Sequence, residues 1–325
     1  MKKVFLIALI ALTSFSGCGG GGADGSSKTS STFQSVATQG ELIAYTVDTT
    51  ALTYSYQITE SAYGKTGATG SGSLSRNSDG SYTPSGINGK IVIQDSGLLL
   101  GAIYEDLDGN GTRDVIPVLG MSNPISSLAD AADTYNFVSR QCSTTCSNFY
   151  GTMKLNSDGT WTSCVAGNLS AVGYSCTSSV SGDTGTFTSG RATIRVGGVT
   201  GGSLLIFKDP TTNQKAIILD FNGATSLGKG GLFAGSQTLP ASANGNWAYT
   251  NTLGARGVVT VTDTDFTDIG INRSGSAYSV TGSFTKNQPW NGFVTTDSGS
   301  IVLTASSGIF ASYYGPAGIS IGLKK

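Results

Sequence analysis

Apolar positions along this chain come in short runs of β-branched and aromatic residues, separated by clusters of Gly, Asn, Asp, Ser and Thr. Such runs read as strands, and Asp-Gly between two of them is a tight-hairpin signal, because both turn positions need positive φ. "GSLSRNSDGSYTPSG" (Gly72 to Gly86) and "GTMKLNSDGTWTSC" (Gly151 to Cys164) share one hairpin grammar: Gly, four residues, Asn-Ser-Asp-Gly, a hydroxyl residue, an aromatic, Thr. "GVVTVTDTDFTDIGI" (Gly257 to Ile271) is a looser third copy. After each hairpin come further strand-like runs: "KIVIQD", "LLLGAIYE" and "DVIPVLGM"; "ATIRV", "SLLIFKD" and "KAIILDF"; "SIVLTA", "GIFASYYG" and "GISIGLKK". The pattern predicts an all-β protein of tandem antiparallel β-meander units, over residues 39–121, 133–221 and 245–325, forming small barrels or sandwiches. The connections are "SNPISSLADAAD" (Ser122 to Asp133), with a helical turn or two, and a Gly-rich linker from Asn222 to Asn246. The strand runs vary in length and lack paired aromatic girdles, which argues against a barrel in lipid.

Composition sharpens this picture. Of 325 residues, 12% are charged and 47 are glycine, against about 25% charged and about 7% glycine in an average globular protein. Low charge with abundant Ser, Thr and Gly also suits disorder, but disorder does not need regular β-branched runs. The length allows one large domain or two to three small ones. Formal charge is −1, and no basic patch points to nucleic acid. Histidine is absent, which removes Ser-His-Asp and Cys-His catalysis, imidazole zinc sites and histidine pH switching.

The N-terminus, "MKKVFLIALIALTSFSGC", has two lysines, an apolar core from Val4 to Leu12 and small residues before Cys18. That order is a secretory signal, and the apolar run falls short of the roughly 20 residues a spanning helix needs. Phe15-Ser16-Gly17-Cys18 resembles the lipobox of bacterial lipoproteins, with Phe15 where Leu is usual. The resemblance implies a signal peptide over residues 1–17, a palmitate-type lipid on Cys18, and attachment to the membrane through that lipid. Because Gly19 rather than Asp follows the cysteine, the resemblance further implies the cell outer membrane. Residues 18–38, opening with "CGGGGADGSSKTSST", read as a flexible tether reaching roughly 20 Å.

Four cysteines remain: Cys142, Cys146, Cys164 and Cys176. An even number in an exported chain reads as two disulfides, with three connectivities open. A four-thiolate zinc site would want paired CxxC knuckles, which the spacing lacks.

The segment "YEDLDGNGTRDVIP" (Tyr104 to Pro117) places Asp106, Asp108, Asn110, Thr112 and Asp114 around two glycines. Alternate oxygens on a loop that folds back at glycine suit calcium, with Thr112 giving its backbone carbonyl. The pattern resembles the calcium loops of integrin-type propeller repeats and departs from an EF-hand at Pro117. The ion, where bound, would be a structural cofactor bracing the hairpin. In "KNQPWNGF", Trp290 and Phe293 are a candidate ligand-binding pair for a glycan or protein partner, the alternative being that they plug a β-core. Tyr45, Tyr54, Tyr56, Tyr104, Tyr313 and Tyr314 read as core or cross-strand residues. Tyr313 to Pro316 bears a faint similarity to surface receptor lipoproteins that capture host iron proteins, too short to carry over any site.

No catalytic set emerges. The mature chain holds three glutamates, Glu41, Glu60 and Glu105, with no acid–base pair for glycoside hydrolysis, and no Ser-Lys or phosphate-loop motif. The expected function is an outer-membrane-anchored lipoprotein acting as a non-catalytic binding module. A structural accessory of an envelope assembly is the second reading, and a hydrolase the third.

Overall fold

The computed structural model describes residues 30–325 except 88, 108, 110, 126, 143, 144, 186, 189, 211, 238–242, 305–307, 316 and 317, and the side chain of 304. The described chain is almost wholly antiparallel strand, arranged as three consecutive eight-stranded up-and-down units, the second and third closed barrels and the first a sheet curled nearly to a barrel.

The first barrel runs β1 (Ser30–Ala37), β2 (Glu41–Asp48), β3 (Thr53–Ser61), β4 (Thr69–Arg76), β5 (Tyr82–Pro84), β6 (Val92–Ile93), β7 (Leu98–Glu105) and β8 (Asp114–Met121). Its first and last strands pair as β1–β8, and its edge strands β5 and β6 are drawn together by an isolated Tyr82–Ile91 bridge just before β6. One helical turn, α1 (Leu128–Ala131), capped by Ser127, leads into the second barrel. That barrel runs β9 (Asp133–Cys142), β10 (Cys146–Leu155), β11 (Thr160–Val165), β12 (Ser178–Thr184), β13 (Arg191–Val196), β14 (Val199–Lys208), β15 (Lys215–Asn222) and β16 (Lys229–Ser236), and it closes at β9–β16. The third runs β17 (Gly245–Asn251), β18 (Arg256–Val261), β19 (Asp265–Ile271), β20 (Ala277–Lys286), β21 (Phe293–Thr296), β22 (Ile301–Thr304), β23 (Ile309–Tyr313) and β24 (Ile319–Lys324), closing at β17–β24.

Strand character changes around each barrel. β3 alternates buried and exposed positions, and β4 mostly half-buried and exposed ones, as strands with one face in water should. β7, β8, β14, β15 and β24 are buried almost throughout, because their outer faces also pack. Val36, Leu100 and Met121 of the first barrel, Leu205, Phe207 and Ile218 of the second, and Phe293, Leu303 and Ile321 of the third belong to one shared cluster of twenty-two buried residues. At about 1.5–3 kcal/mol for each large apolar side chain buried, this common core makes the three barrels one body. Polar seams add register: Gln94 Nε2 donates to the Lys324 carbonyl at 2.6 Å, Asn136 Nδ2 to the Asn291 carbonyl at 2.8 Å, and Ser203 Oγ to Glu60 Oε2 at 2.9 Å.

The structure revises three sequence expectations. β1 occupies residues assigned to the tether, so the first barrel begins at Ser30. β16 lies inside the supposed Gly-rich linker, so the second barrel extends to Ser236. The Gly72–Gly86 hairpin joins the fourth and fifth strands of its barrel, whereas Gly151–Cys164 and Gly257–Ile271 join the second and third. The equivalent hairpin of the first barrel is β2–β3, and the shared Asn-Ser-Asp-Gly reflects turn chemistry rather than position.

Candidate functional site

The third barrel is hollow. Its inward positions hold Trp247 and Tyr249 on β17, Val259 and Val261 on β18, Phe266 and Asp268 on β19, and Val280 and Phe284 on β20. The opposite wall carries Thr296, Ser300, Val302, Ser312 and Ser320, together with the rings of Phe310 and Tyr314. They enclose a cavity of about 350 Å³, within the roughly 300–1,000 Å³ range of small-molecule sites. Trp247, Tyr249 and Phe310 form its buried apolar cluster among the described residues. Val280 points inward yet keeps 51% of its surface accessible, so the lumen is open to solvent.

Glycine on the neighbouring strand is what holds the rings against the wall. Phe266 pairs with Gly282 and Tyr278 with Gly270 across β19–β20. A Cβ at Gly282 would lie 2.7 Å from Phe266 Cζ, and one at Gly270 would lie 2.6 Å from the Tyr278 hydroxyl. Each ring fills the space its glycine leaves, and the middle of the barrel stays empty.

One acid faces this lumen among its described lining residues. Tyr249 Oη donates to Asp268 Oδ1 at 2.9 Å, so the contact between the Tyr249 and Tyr278 hydroxyls has Tyr278 as donor. Burial raises the Asp268 carboxyl to about 6, since a charge in an apolar wall loses hydration.

The other two lumens differ. The second holds a smaller cavity of about 170 Å³ lined by Phe137, Phe149, Met153, Trp161 and Phe221, with no ionisable side chain among its described lining. The first is packed by Tyr45, which is wholly buried and stacks on Tyr54 and Tyr56 at 6.2 and 6.0 Å between ring centroids.

The sequence-predicted sites fall elsewhere. In the β7–β8 loop, the Gly111 amide donates to Asp106 Oδ2 at 3.0 Å, while Asp114 Oδ1 meets Arg273 Nη2 of the third barrel at 2.5 Å. Thr112 lines a polar cleft between the barrels, together with Arg113, Arg140 and Arg273. Asp108 and Asn110 lie outside the described residues. Among the described residues no three Cys, Asp or Glu side chains gather as a metal site. The equivalent seventh-to-eighth-strand loops, residues 223–228 and 314–318, carry no carboxylate.

Trp290 and Phe293 pack in the seam between the second and third barrels rather than on an open ligand surface. Phe293 is fully buried, Trp290 stacks on Tyr150 at 5.9 Å, and its Nε1 donates to Asn136 Oδ1 at 2.9 Å. Both rings are consumed by joining barrels. Of the two expected roles, packing is the one their neighbours supply. The disulfides are Cys142–Cys146 and Cys164–Cys176, both within the second barrel. Cys18, with the leader and residues 18–29 of the tether, lies outside the described residues.

Sequence reasoning missed the lumen because it searched for reactive groups. The available signal was the run of small inward residues at alternate positions of "VVTV", "SVTG" and "SIVL".

No family model and no curated protein matches this chain. Among solved structures, a chain described as a DNA polymerase III beta subunit, from Eubacterium rectale, is 8% identical over 90% of this chain and 91% of that one, with a TM-score of 0.13. At that score nothing about this chain follows from it.

Proposed function

We propose that this chain is a lipid-anchored, non-catalytic binding protein of the outer membrane, in which the third barrel holds a small molecule and the other two brace it. The observation that carries the reading is the open, apolar lumen of the third barrel beside a filled first barrel built on the same topology. An eight-stranded barrel is just wide enough either to be filled by its own side chains or to hold one small ligand. Anchoring is supported by the leader ending in Cys18 and by the Gly- and Ser-rich residues before β1. Calcium at Asp106, Asp108, Asn110, Thr112 and Asp114 remains part of the proposal, as a brace on the β7–β8 loop, where Arg273 competes for Asp114.

The test uses 1-naphthylmethanol, an uncharged bicyclic probe, titrated calorimetrically into the chain beginning at Gly19. Every described strand lies within that chain. Saturable one-to-one binding that Val280→Trp removes is expected; linear uptake, or binding indifferent to Val280→Trp, rejects the lumen as a site. Anchoring is tested separately by labelled palmitate, which should mark the wild-type protein and not Cys18→Ser.

A further inference from the structure

We infer that the third-barrel lumen takes a small amphipathic amine, its apolar body lying against Trp247, Phe266 and Val280 and its protonated nitrogen resting on the Asp268 carboxylate. The inference rests on the binding reading above and adds the charge and polarity of the ligand.

Three observations carry it. First, Asp268 is the only carboxylate among the described residues lining the cavity. A lone acid in such a wall costs free energy unless a donor or a cation meets it, and the second barrel, with a comparable apolar wall, carries none. Second, the protein's own donors cover only half of it. Tyr249 serves Oδ1, the Tyr278 hydroxyl is committed to Tyr249, and no second hydrogen bond reaches the Asp268 carboxylate among the described residues.

Third, no cation among the described residues is placed to neutralise it. Val280 sits directly opposite Asp268 on β20. Lys286 is six residues further along that strand, about 20 Å away at a rise of roughly 3.3 Å per residue. Lys324 instead lies over the Trp247 ring at 5.6 Å. Burial is what perturbs the Asp268 carboxyl. A ligand ammonium would supply the missing charge.

A matched pair of probes tests this: 1-naphthylmethylamine and 1-naphthylmethanol, titrated into the chain beginning at Gly19 at pH 7.5. The amine should bind at least tenfold more tightly than the alcohol. Asp268→Asn keeps an acceptor for Tyr249 and should erase that preference, bringing the Kd values of amine and alcohol on this variant to within about twofold of each other. In the wild type, amine affinity should rise from pH 5 to pH 7.5 as Asp268 ionises, with the alcohol flat. The other titratable groups on this wall are Tyr249, Tyr278, Tyr314, Lys286 and Lys324. Burial pushes Tyr278 and Tyr314 above the ordinary tyrosine range, so those two keep their protons throughout. Equal affinities, or an amine preference that survives Asp268→Asn or ignores pH, overturns the amine while the alcohol's binding keeps the lumen as a site. Binding of neither probe overturns both readings.

Discussion

The first and third barrels share strand number, order and connection, and both set aromatic rings of the third or fourth strand against glycines of its neighbour. Tyr54 and Tyr56 face Gly72 and Gly70 in one; Phe266 and Tyr278 face Gly282 and Gly270 in the other. Yet eighteen described residues are buried in the core of the first and three in that of the third. The second strand makes the difference. In the first barrel it sends Tyr45 through the lumen, with its hydroxyl on the Ala102 carbonyl of β7 at 3.1 Å. In the third it offers only Val259 and Val261. A common wall can thus be plugged or left open by the size of a few inward side chains, with no change of topology.

Opening the first barrel is the strongest way to break this contrast. Tyr45→Ala removes a buried ring and orphans its neighbours, at about 3–5 kcal/mol, read as a large fall in the urea midpoint. A loss below about 1 kcal/mol would mean that the ring is not what holds that barrel together.

Next comes the seam joining the first barrel to the second. Glu41 and Asp220 are both buried there. Burial raises the Glu41 carboxyl from 4.5 to about 7, against the opposing Ser61 hydroxyl, the amides of Ala62 and Tyr63, and Lys229. Asp220 is held well above the carboxylate range by burial first and then by Glu41 and Glu60, with Arg191 opposing. Because the folded state binds these protons more tightly, the stability is present below about pH 4.5 and lost as pH rises through 7. For Glu41 alone the loss is on the order of 3 kcal/mol. Denaturation at pH 5 and pH 8 should show lower stability at the higher pH, and Glu41→Gln should flatten the slope. The third barrel's probe binding should be indifferent to Glu41→Gln.

Stapling distinguishes the second barrel from both. The Cys164–Cys176 bond closes a thirteen-residue loop, worth about 3 kcal/mol in the chain-entropy picture. Cys164→Ser with Cys176→Ser should lower the melting temperature by an amount matching that figure, and an unchanged melt would show that the loop is ordered without it. Smallest is Val280→Ala in the hollow barrel. With half of its surface already accessible, it should change stability by no more than about 0.5 kcal/mol, and a core-sized penalty would mean that the lumen is filled.

How much of this was legible depends on which surfaces a strand meets. "LLLGAIYE" and "KAIILDF" read clearly as strands because both of their faces are buried, one in a lumen and one in the shared core. β16, "KGGLFAGS", was hidden because its glycines serve a close approach between barrels. A Cβ at Gly40 would lie 2.4 Å from the Gly230 amide nitrogen, and one at Gly231 would lie 2.8 Å from the Ala37 carbonyl oxygen. β1 was hidden by its polar residues, since Phe33, Val36 and Ala37 alone carry its apolar signal. Cross-barrel partners left no local trace either: Trp290 meets Asn136, 154 residues away. An open lumen is written as the absence of large side chains, which periodicity alone does not flag.

Thiol accessibility in the native chain probes the filled-versus-open distinction without any ligand. Single Val280→Cys and Ile58→Cys variants place a thiol on inward positions of the third and first barrels, where the native residues are 51% and 0% exposed. A maleimide should modify Val280→Cys at close to the rate of a free thiol and leave Ile58→Cys unmodified until the chain is unfolded. Equal protection at both positions would show that the third barrel is as closed as the first.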